Sequence, residues 1–119
     1  MIHKKDGIII NISSMWGEVG ASCEVHYSVS KAGLIGLTKA LAKEVGPSGI
    51  RVNCITPGVV DTDMNKNLTG DDVKSLISDT PLGKIASPED IVGVMEFLAS
   101  DSSSFITGQI IGVNGGFII

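Results

Sequence analysis

Residues 8–13 read Ile-Ile-Ile-Asn-Ile-Ser, a run rich in β-branched residues that ends at Ser14. A continuous apolar run of this length is typical of a strand that is buried on both faces, as in a parallel sheet. Similar runs occupy 51–56 and 109–113, and each is followed by a glycine-containing turn. The sequence therefore predicts three parallel strands.

A long helix is predicted between the first two strands, over residues 25–45. Residues recur there in steps of three and four, which places them on one helical face. That face comprises Tyr27, Lys31, Leu34, Thr38, Leu41 and Val45. A second face carries the small residues Gly33, Gly36 and Ala40, which allow another backbone to approach closely.

Two further helices are expected before the third strand. A short helix covers 70–78, and a longer one begins at Pro88 with Ser87 as its N-cap. Alternation of strands and helices predicts an α/β fold with a parallel sheet and right-handed crossovers. Because such a sheet usually has five or six strands, three strands indicate that part of the sheet is missing.

Length and composition narrow the class of protein. The 119 residues allow one domain at most, so we expect 1–119 to form a single, partial domain. A net charge of −4 argues against a nucleic-acid partner, which needs a basic patch. No apolar run reaches the roughly 18 residues of a membrane helix, so no membrane partner is expected. Two cysteines cannot form a disulfide framework, which favours a reducing, cytoplasmic location.

Glycine is unusually frequent. There are 15 glycines in 119 residues, about 13%, whereas proteins usually contain about 7%. This excess indicates tight turns or places where two segments of backbone approach closely.

Tyr27 and Lys31 are the strongest candidates for catalytic residues. A phenol is a poor acid or base at neutral pH because its ordinary pKa is near 10, and a cation within about 4–6 Å favours the phenolate. Ser14 follows the first strand at its carboxyl end, where open α/β sheets build their sites. Its hydroxyl could hold a substrate oxygen beside Tyr27. The Tyr-x-x-x-Lys pair alone is a weak signal, because a surface tyrosine beside a surface lysine is also common.

The surrounding motifs strengthen the signal. Ser14 precedes Tyr27 by 13 residues, and Tyr27 begins the motif Y-S-V-S-K-A-G-L. The motifs N-C-I-T-P-G, D-T-D-M and I-T-G-Q-I-I-G-V-N-G-G follow at 53–58, 61–64 and 106–116. In order and spacing the whole chain resembles the short-chain dehydrogenase/reductase family, and within it the C-terminal half of bacterial 3-oxoacyl-[acyl-carrier-protein] reductases.

The resemblance implies a fold and a set of site residues. The fold is the C-terminal half of a Rossmann-like, doubly wound parallel sheet, without the N-terminal half that binds the dinucleotide. Ser14 would polarise the substrate carbonyl, Tyr27 would be the general acid in reduction, and Lys31 would assist Tyr27 and bind the nicotinamide ribose. The implied cofactor-binding residues are Tyr27, Lys31, Pro57, Gly58, Val60 and Thr62.

The resemblance says less about the substrate and the residues that contact it. Ser14 would contact substrate, whereas Met15 and Trp16 are equally compatible with a pocket wall and with packing. Residues 63–85 correspond to a substrate lid in relatives. The implied reaction is reduction of a small carbonyl substrate or a 3-oxoacyl thioester by NADPH or NADH, with NADPH favoured by the resemblance alone. The implied partner is a second copy of the chain, or a missing N-terminal half.

A competing hypothesis is that the chain is a non-catalytic fragment, a split-gene partner or a dimerising half. It is motivated by the absence of a Gly-rich phosphate-binding turn after a strand, which dinucleotide-binding folds place at a helix N-terminus.

Two other features have simpler interpretations. Cys23 and His26 have a C-x-x-H spacing, but zinc needs two more ligands and only His3 and Cys54 remain, so we expect no metal. Asn53 is expected to be a buried amide that holds the Pro57-Gly58 turn.

Overall fold

The computed structural model describes all 119 residues. Its strands and helices are β1 (Gly7–Ile12), α1 (Met15–Val19), α2 (Val25–Val45), β2 (Ile50–Pro57), α3 (Gly70–Asp79), α4 (Pro88–Ala99) and β3 (Ile110–Val113). Short 3-10 turns lie at Gly46–Ser48, Asp63–Asn65 and Asp101–Ser103. The predicted α/β order is confirmed, with element ends that differ by one or two residues. The five-residue helix α1 was not predicted.

The three strands form one parallel sheet in the order β1-β2-β3. Ile12 lies opposite Ile55, and Cys54 lies opposite Ile110. The central strand β2 is fully buried from Val52 to Thr56, whereas β1 is half-buried and its last residue is exposed. The burial predicted for the first strand is therefore found only in the second, because β1 pairs with a neighbour on one side alone.

Helix α2 packs its predicted face against the sheet. A small core cluster joins Ala42 to Ile50 and Val52 of β2. Thr38 is also fully buried, and its hydroxyl donates to the Leu34 carbonyl at 2.7 Å and accepts from the Asn11 amide at 3.0 Å. These bonds satisfy the polar groups on the buried face of α2, as buried polar atoms require.

The small-residue face of α2 has no neighbour within this chain. A Cβ added at Gly33 or Gly36 would meet nothing within 4 Å, and Ala40 is exposed. The close approach predicted for this face is therefore not made by any other segment of these 119 residues. None of the helices combines the length and the apolarity that crossing a membrane requires.

Capping side chains define where α3 and α4 begin. Thr69 and Asp72 bond reciprocally, side chain to backbone, at the start of α3. The N–H and hydroxyl of Ser87 both donate to the Asp90 carboxylate at the start of α4, which agrees with the predicted N-cap. Hydrogen bonds from the Thr69 backbone and side chain lower the pKa of Asp72, and those from Ser87 lower the pKa of Asp90.

Asn53 is buried as predicted, but it does not hold the Pro57-Gly58 turn. Its amide donates to the Ile106 carbonyl at 2.9 Å, and its side-chain oxygen accepts from the Gln109 N–H at 3.0 Å. The physical reason is its place in β2, whose neighbour on this side is the segment that leads into β3. Asn53 thus holds residues 106–109, which lead into β3, against β2.

Replacing Asn53 by leucine is expected to lower the free energy of unfolding by about 2 kcal/mol, because the fully buried Asn53 side chain makes two hydrogen bonds, to the Ile106 carbonyl and the Gln109 N–H, that leucine cannot make. Urea denaturation of the variant and the unsubstituted chain measures this difference. Asn67→Leu is the matched control, since Asn67 is exposed. Equal stability of Asn53→Leu and Asn67→Leu would contradict the stabilising role assigned to the Asn53 hydrogen bonds.

Candidate active site

Ser14 lies at the carboxyl end of β1 and caps helix α1. It is 6% exposed, and its backbone is extended, with φ −159° and ψ 153°. Its Oγ accepts a hydrogen bond from the Trp16 N–H at 3.1 Å. Because that bond uses a lone pair, the hydroxyl proton of Ser14 is left to donate to another group.

Tyr27 and Lys31 lie on one face of α2, one turn apart, and both are half-buried. The Lys31 Nζ is 5.6 Å from the centroid of the Tyr27 ring. It also donates to the Ile12 carbonyl at 3.2 Å, two residues before Ser14. The ammonium group thereby lies between the face of the Tyr27 ring and the end of the strand that precedes Ser14.

Two residues that sequence reasoning missed hold α1 and α2 together. Ser13 is 4% exposed, and its hydroxyl donates to the Lys31 carbonyl at 2.6 Å. Gly17 lies so close to α2 that an added Cβ would be 2.8 Å from the Lys31 carbonyl carbon. The repeated serine and the glycine of S-S-M-W-G were visible in the sequence, but their partner on α2 was not.

Helix α1 has further contacts with the sheet and with the C-terminus. The buried Thr56 hydroxyl donates to the Glu18 carboxylate at 2.5 Å. Met15 is 1% exposed, which favours packing over the pocket wall for this residue. The Trp16 ring packs edge-on against Phe117 with 5.7 Å between centroids.

The segment after β2 reaches the same edge of the sheet. Ile12 and Ile55 are register partners, so Ser14 and Pro57 each lie two residues beyond paired positions. The Gly58 N–H donates to the Val113 carbonyl at 2.9 Å, and a Cβ on Gly58 would come within 2.9 Å of the Asn114 Cα. Only glycine fits at this position.

Val60 and Thr62 have free hydrogen-bonding groups. The Val60 carbonyl accepts from the Asn65 amide at 2.6 Å, and Val60 forms an isolated parallel bridge with Ala86. Neither the Val60 N–H nor the hydroxyl of the exposed Thr62 has a partner within the chain. Both groups can therefore bond to a ligand at this edge.

An open cavity of about 670 Å³ borders α1 without containing the Tyr-Lys pair. Glu18 lines one side, Pro81 and Leu82 a second, and residues between 112 and 119 a third. Neither Tyr27 nor Lys31 lines this cavity, and Ser14 does not line it either.

The cysteines are not part of this site. Cys23 and Cys54 are both free thiols, the first exposed and the second buried. Burial raises the pKa of the Cys54 thiol. No group of three or more His, Cys, Asp or Glu side chains is arranged to hold a metal ion.

Replacing Gly17 by alanine is expected to push α1 away from α2 and to lower the free energy of unfolding by about 1–3 kcal/mol, because the new methyl group meets backbone. Thermal or urea unfolding measures the loss. Gly33→Ala is the matched control, because its Cβ would meet nothing and alanine favours a helix by roughly 0.5–1 kcal/mol. A Gly17→Ala variant as stable as Gly33→Ala would contradict the close contact.

Known proteins are similar to this chain in sequence. A family model described as enoyl-(acyl carrier protein) reductase matches residues 1–118. The chain is 48% identical over 117 residues to the uncharacterized oxidoreductase YmfI of Bacillus subtilis, and 50% identical over 116 residues to the 3-oxoacyl-[acyl-carrier-protein] reductase FabG of Chlamydia trachomatis. Both alignments include 98% of this chain, but 48% and 47% of the respective relative. The chain thus spans about half the length of the curated relatives it matches.

A solved structure agrees with the fold. The crystal structure of 3-oxoacyl-[acyl-carrier protein] reductase from Brucella melitensis matches all of this chain with a TM-score of 0.93 and 35% sequence identity, and the match covers 45% of that protein's chain. The three-stranded parallel sheet and its helices thus correspond to part of a Rossmann-like reductase. By family model, relatives and fold, the chain belongs to the short-chain dehydrogenase/reductase family.

Proposed function

We propose that these residues carry the chemistry of an NAD(P)-dependent carbonyl reductase in which Tyr27 is the general acid. The observation that carries the proposal is the position of Lys31. Its Nζ is 5.6 Å from the Tyr27 ring centroid and is bonded to the Ile12 carbonyl at the end of the strand before Ser14. A cation held there would offset the negative charge that develops on the phenol during proton transfer.

The proposed reaction divides the work between two hydroxyl groups. Ser14 donates a hydrogen bond to the substrate carbonyl oxygen and polarises the carbonyl. Tyr27 gives its phenolic proton to that oxygen as a hydride reaches the carbonyl carbon, so the C=O bond becomes a CH–OH group. Solvent then returns a proton to Tyr27. A bound nicotinamide cofactor supplies the hydride.

The loop after β2 would contact the nicotinamide end of such a cofactor. The Val60 N–H and the Thr62 hydroxyl are free to bond to a carboxamide, and the bond from the Gly58 N–H to the Val113 carbonyl fixes the start of the loop that follows Pro57. Lys31 would bond to the ribose. Of the two forms of the cofactor, we propose NADPH, on the resemblance to 3-oxoacyl-[acyl-carrier-protein] reductases alone.

The same resemblance supports a 3-oxoacyl thioester as substrate and a cytoplasmic location. Residues 63–85, which include α3, would form the lid over the substrate. In a complete fold, 1–119 would be the second half of one domain, with the dinucleotide-binding half before it.

An alternative is that the chain alone is a structural half that needs a partner. The specific observation in its favour is the open edge of β1, which pairs with β2 only and is half-buried. An apolar strand with a free edge is a template for another strand. Under this alternative, Ser14, Tyr27 and Lys31 act only when a second chain completes the sheet or pairs through the open face of α2.

Substitution of the catalytic residues tests the proposed function. Tyr27→Phe is expected to lower kcat by about 10²–10⁴-fold, because general acid catalysis contributes that much. Lys31→Met is expected to lower kcat and to weaken cofactor binding together. Lys39→Met is the matched control, since Lys39 lies on the same helix and is exposed. The assay is NADPH-dependent reduction of a 3-oxoacyl thioester, with the chain alone or joined to a dinucleotide-binding half. Full activity of Tyr27→Phe would contradict the assignment.

A titration with NADPH separates the two hypotheses for the chain alone. Trp16 is the only tryptophan, so its fluorescence reports on this site. Micromolar binding by the 119-residue chain would support the enzyme, whereas binding only after a dinucleotide-binding half is added would support the structural half.

A further inference from the structure

The C-terminal residues form a rigid turn beside the site. The Asn114 side-chain oxygen accepts from the Gly116 N–H at 2.9 Å, and its amide donates to the Ile118 carbonyl at 3.1 Å. Gly115 and Gly116 have φ values of 65° and 90°, in the region that favours glycine. One side chain therefore closes the turn that presents Phe117.

This turn is fixed against the segment that follows α3. The Leu82 N–H donates to the Gly115 carbonyl at 3.0 Å. An added Cβ at Gly115 would be 2.7 Å from the Thr80 Cγ2, and one at Gly116 would be 3.0 Å from Pro81. The turn thus packs closely against residues 80–82.

Phe117 connects the turn to α1. Its ring meets the Trp16 ring at 86°, with 5.7 Å between centroids, which is the favoured edge-to-face arrangement. The N–H of the same Trp16 donates to the Ser14 Oγ at 3.1 Å. A continuous set of contacts therefore leads from the C-terminal turn to the Ser14 hydroxyl.

We propose that Phe117 is a positioning residue for Ser14 and acts through Trp16. The proposal rests on the proposed function. Helix α1 has only five residues, so its own hydrogen bonds are too few to fix its orientation and packing must do so. Without the Phe117 ring, Trp16 loses an aromatic packing partner, and its N–H, which bonds to the Ser14 Oγ, is positioned less firmly. Small displacements of an orienting group slow a reaction that depends on alignment.

A double-mutant cycle with Ser14 tests the proposal. Phe117→Leu is expected to lower kcat roughly two- to tenfold, the loss that corresponds to an aromatic pair, and to leave the KM for the cofactor unchanged. In a Ser14→Ala background the same substitution is expected to change kcat less than about twofold, because the group it positions is gone. Phe117→Tyr keeps the aromatic ring, so this variant is expected to retain the activity of the unsubstituted chain. Phe105→Leu is the matched control, since Phe105 is fully exposed.

Fluorescence of Trp16 gives a readout that does not depend on activity. Phe117→Leu is expected to change the emission of this sole tryptophan, and Phe105→Leu is not. If circular dichroism shows that Phe117→Leu does not fold, Phe117→Met takes its place. If Phe117→Leu lowered kcat by the same factor with Ser14 present and in the Ser14→Ala background, or left kcat unchanged, the positioning role of Phe117 would be overturned. If Ser14→Ala alone left activity unchanged, the proposed function would be contradicted, and so would the positioning role of Phe117 that rests on it.

Discussion

The rest of the site depends on the bonds made by Ser13. Its N–H donates to the Ile55 carbonyl of β2 at 2.8 Å, and its hydroxyl donates to the Lys31 carbonyl of α2 at 2.6 Å. A buried serine thus bonds to the central strand with its backbone and to the helix with its side chain. The adjacent Ser14 is placed by the same backbone, and Lys31 by the same hydrogen bond.

The central strand β2 makes the hydrogen bonds that hold the segments on both of its sides. On one side, β2 pairs with β1 and receives the Ser13 N–H. On the other, Arg51 donates to the carbonyls of Leu98 and Ser100 at the end of α4, at 3.0 and 3.2 Å. A cation there also complements the negative end of the helix dipole. The segment before β3 is therefore fastened to the same strand that positions α1 and α2.

Local patterns in the sequence predicted the elements well, because each depends on neighbouring residues. The β-branched runs, the helical spacing of Tyr27 and Lys31, and the cap at Ser87 are all short-range features. The contacts that assemble the site are long-range. Ser13 and its partner are 18 residues apart, and the Asn53 amide bonds across 53 residues. No periodicity indicates such partners, so the bond of Ser13, the close packing of Gly17 and the role of Asn53 emerged only with the fold.

The burial of Met15 and the existence of α1 were unpredictable for a related reason. A five-residue helix is too short to show a periodic pattern, and its orientation comes from tertiary contacts. Those contacts include the Thr56 bond to Glu18 and the Phe117 ring beside Trp16. The glycine excess is explained in part by close packing at Gly17 and Gly58. Gly33 and Gly36 instead leave an open face on α2.

Native-state amide hydrogen exchange of a Ser13→Ala variant tests the central claim most directly. The account predicts faster exchange at Gly17 and over residues 27–35, where α1 and α2 lose their common anchor, with unchanged exchange at Val52 and Cys54 of the central strand. Exchange that rises equally in both regions, or in neither, would contradict the claim that the Ser13 hydroxyl holds the site helix to the sheet.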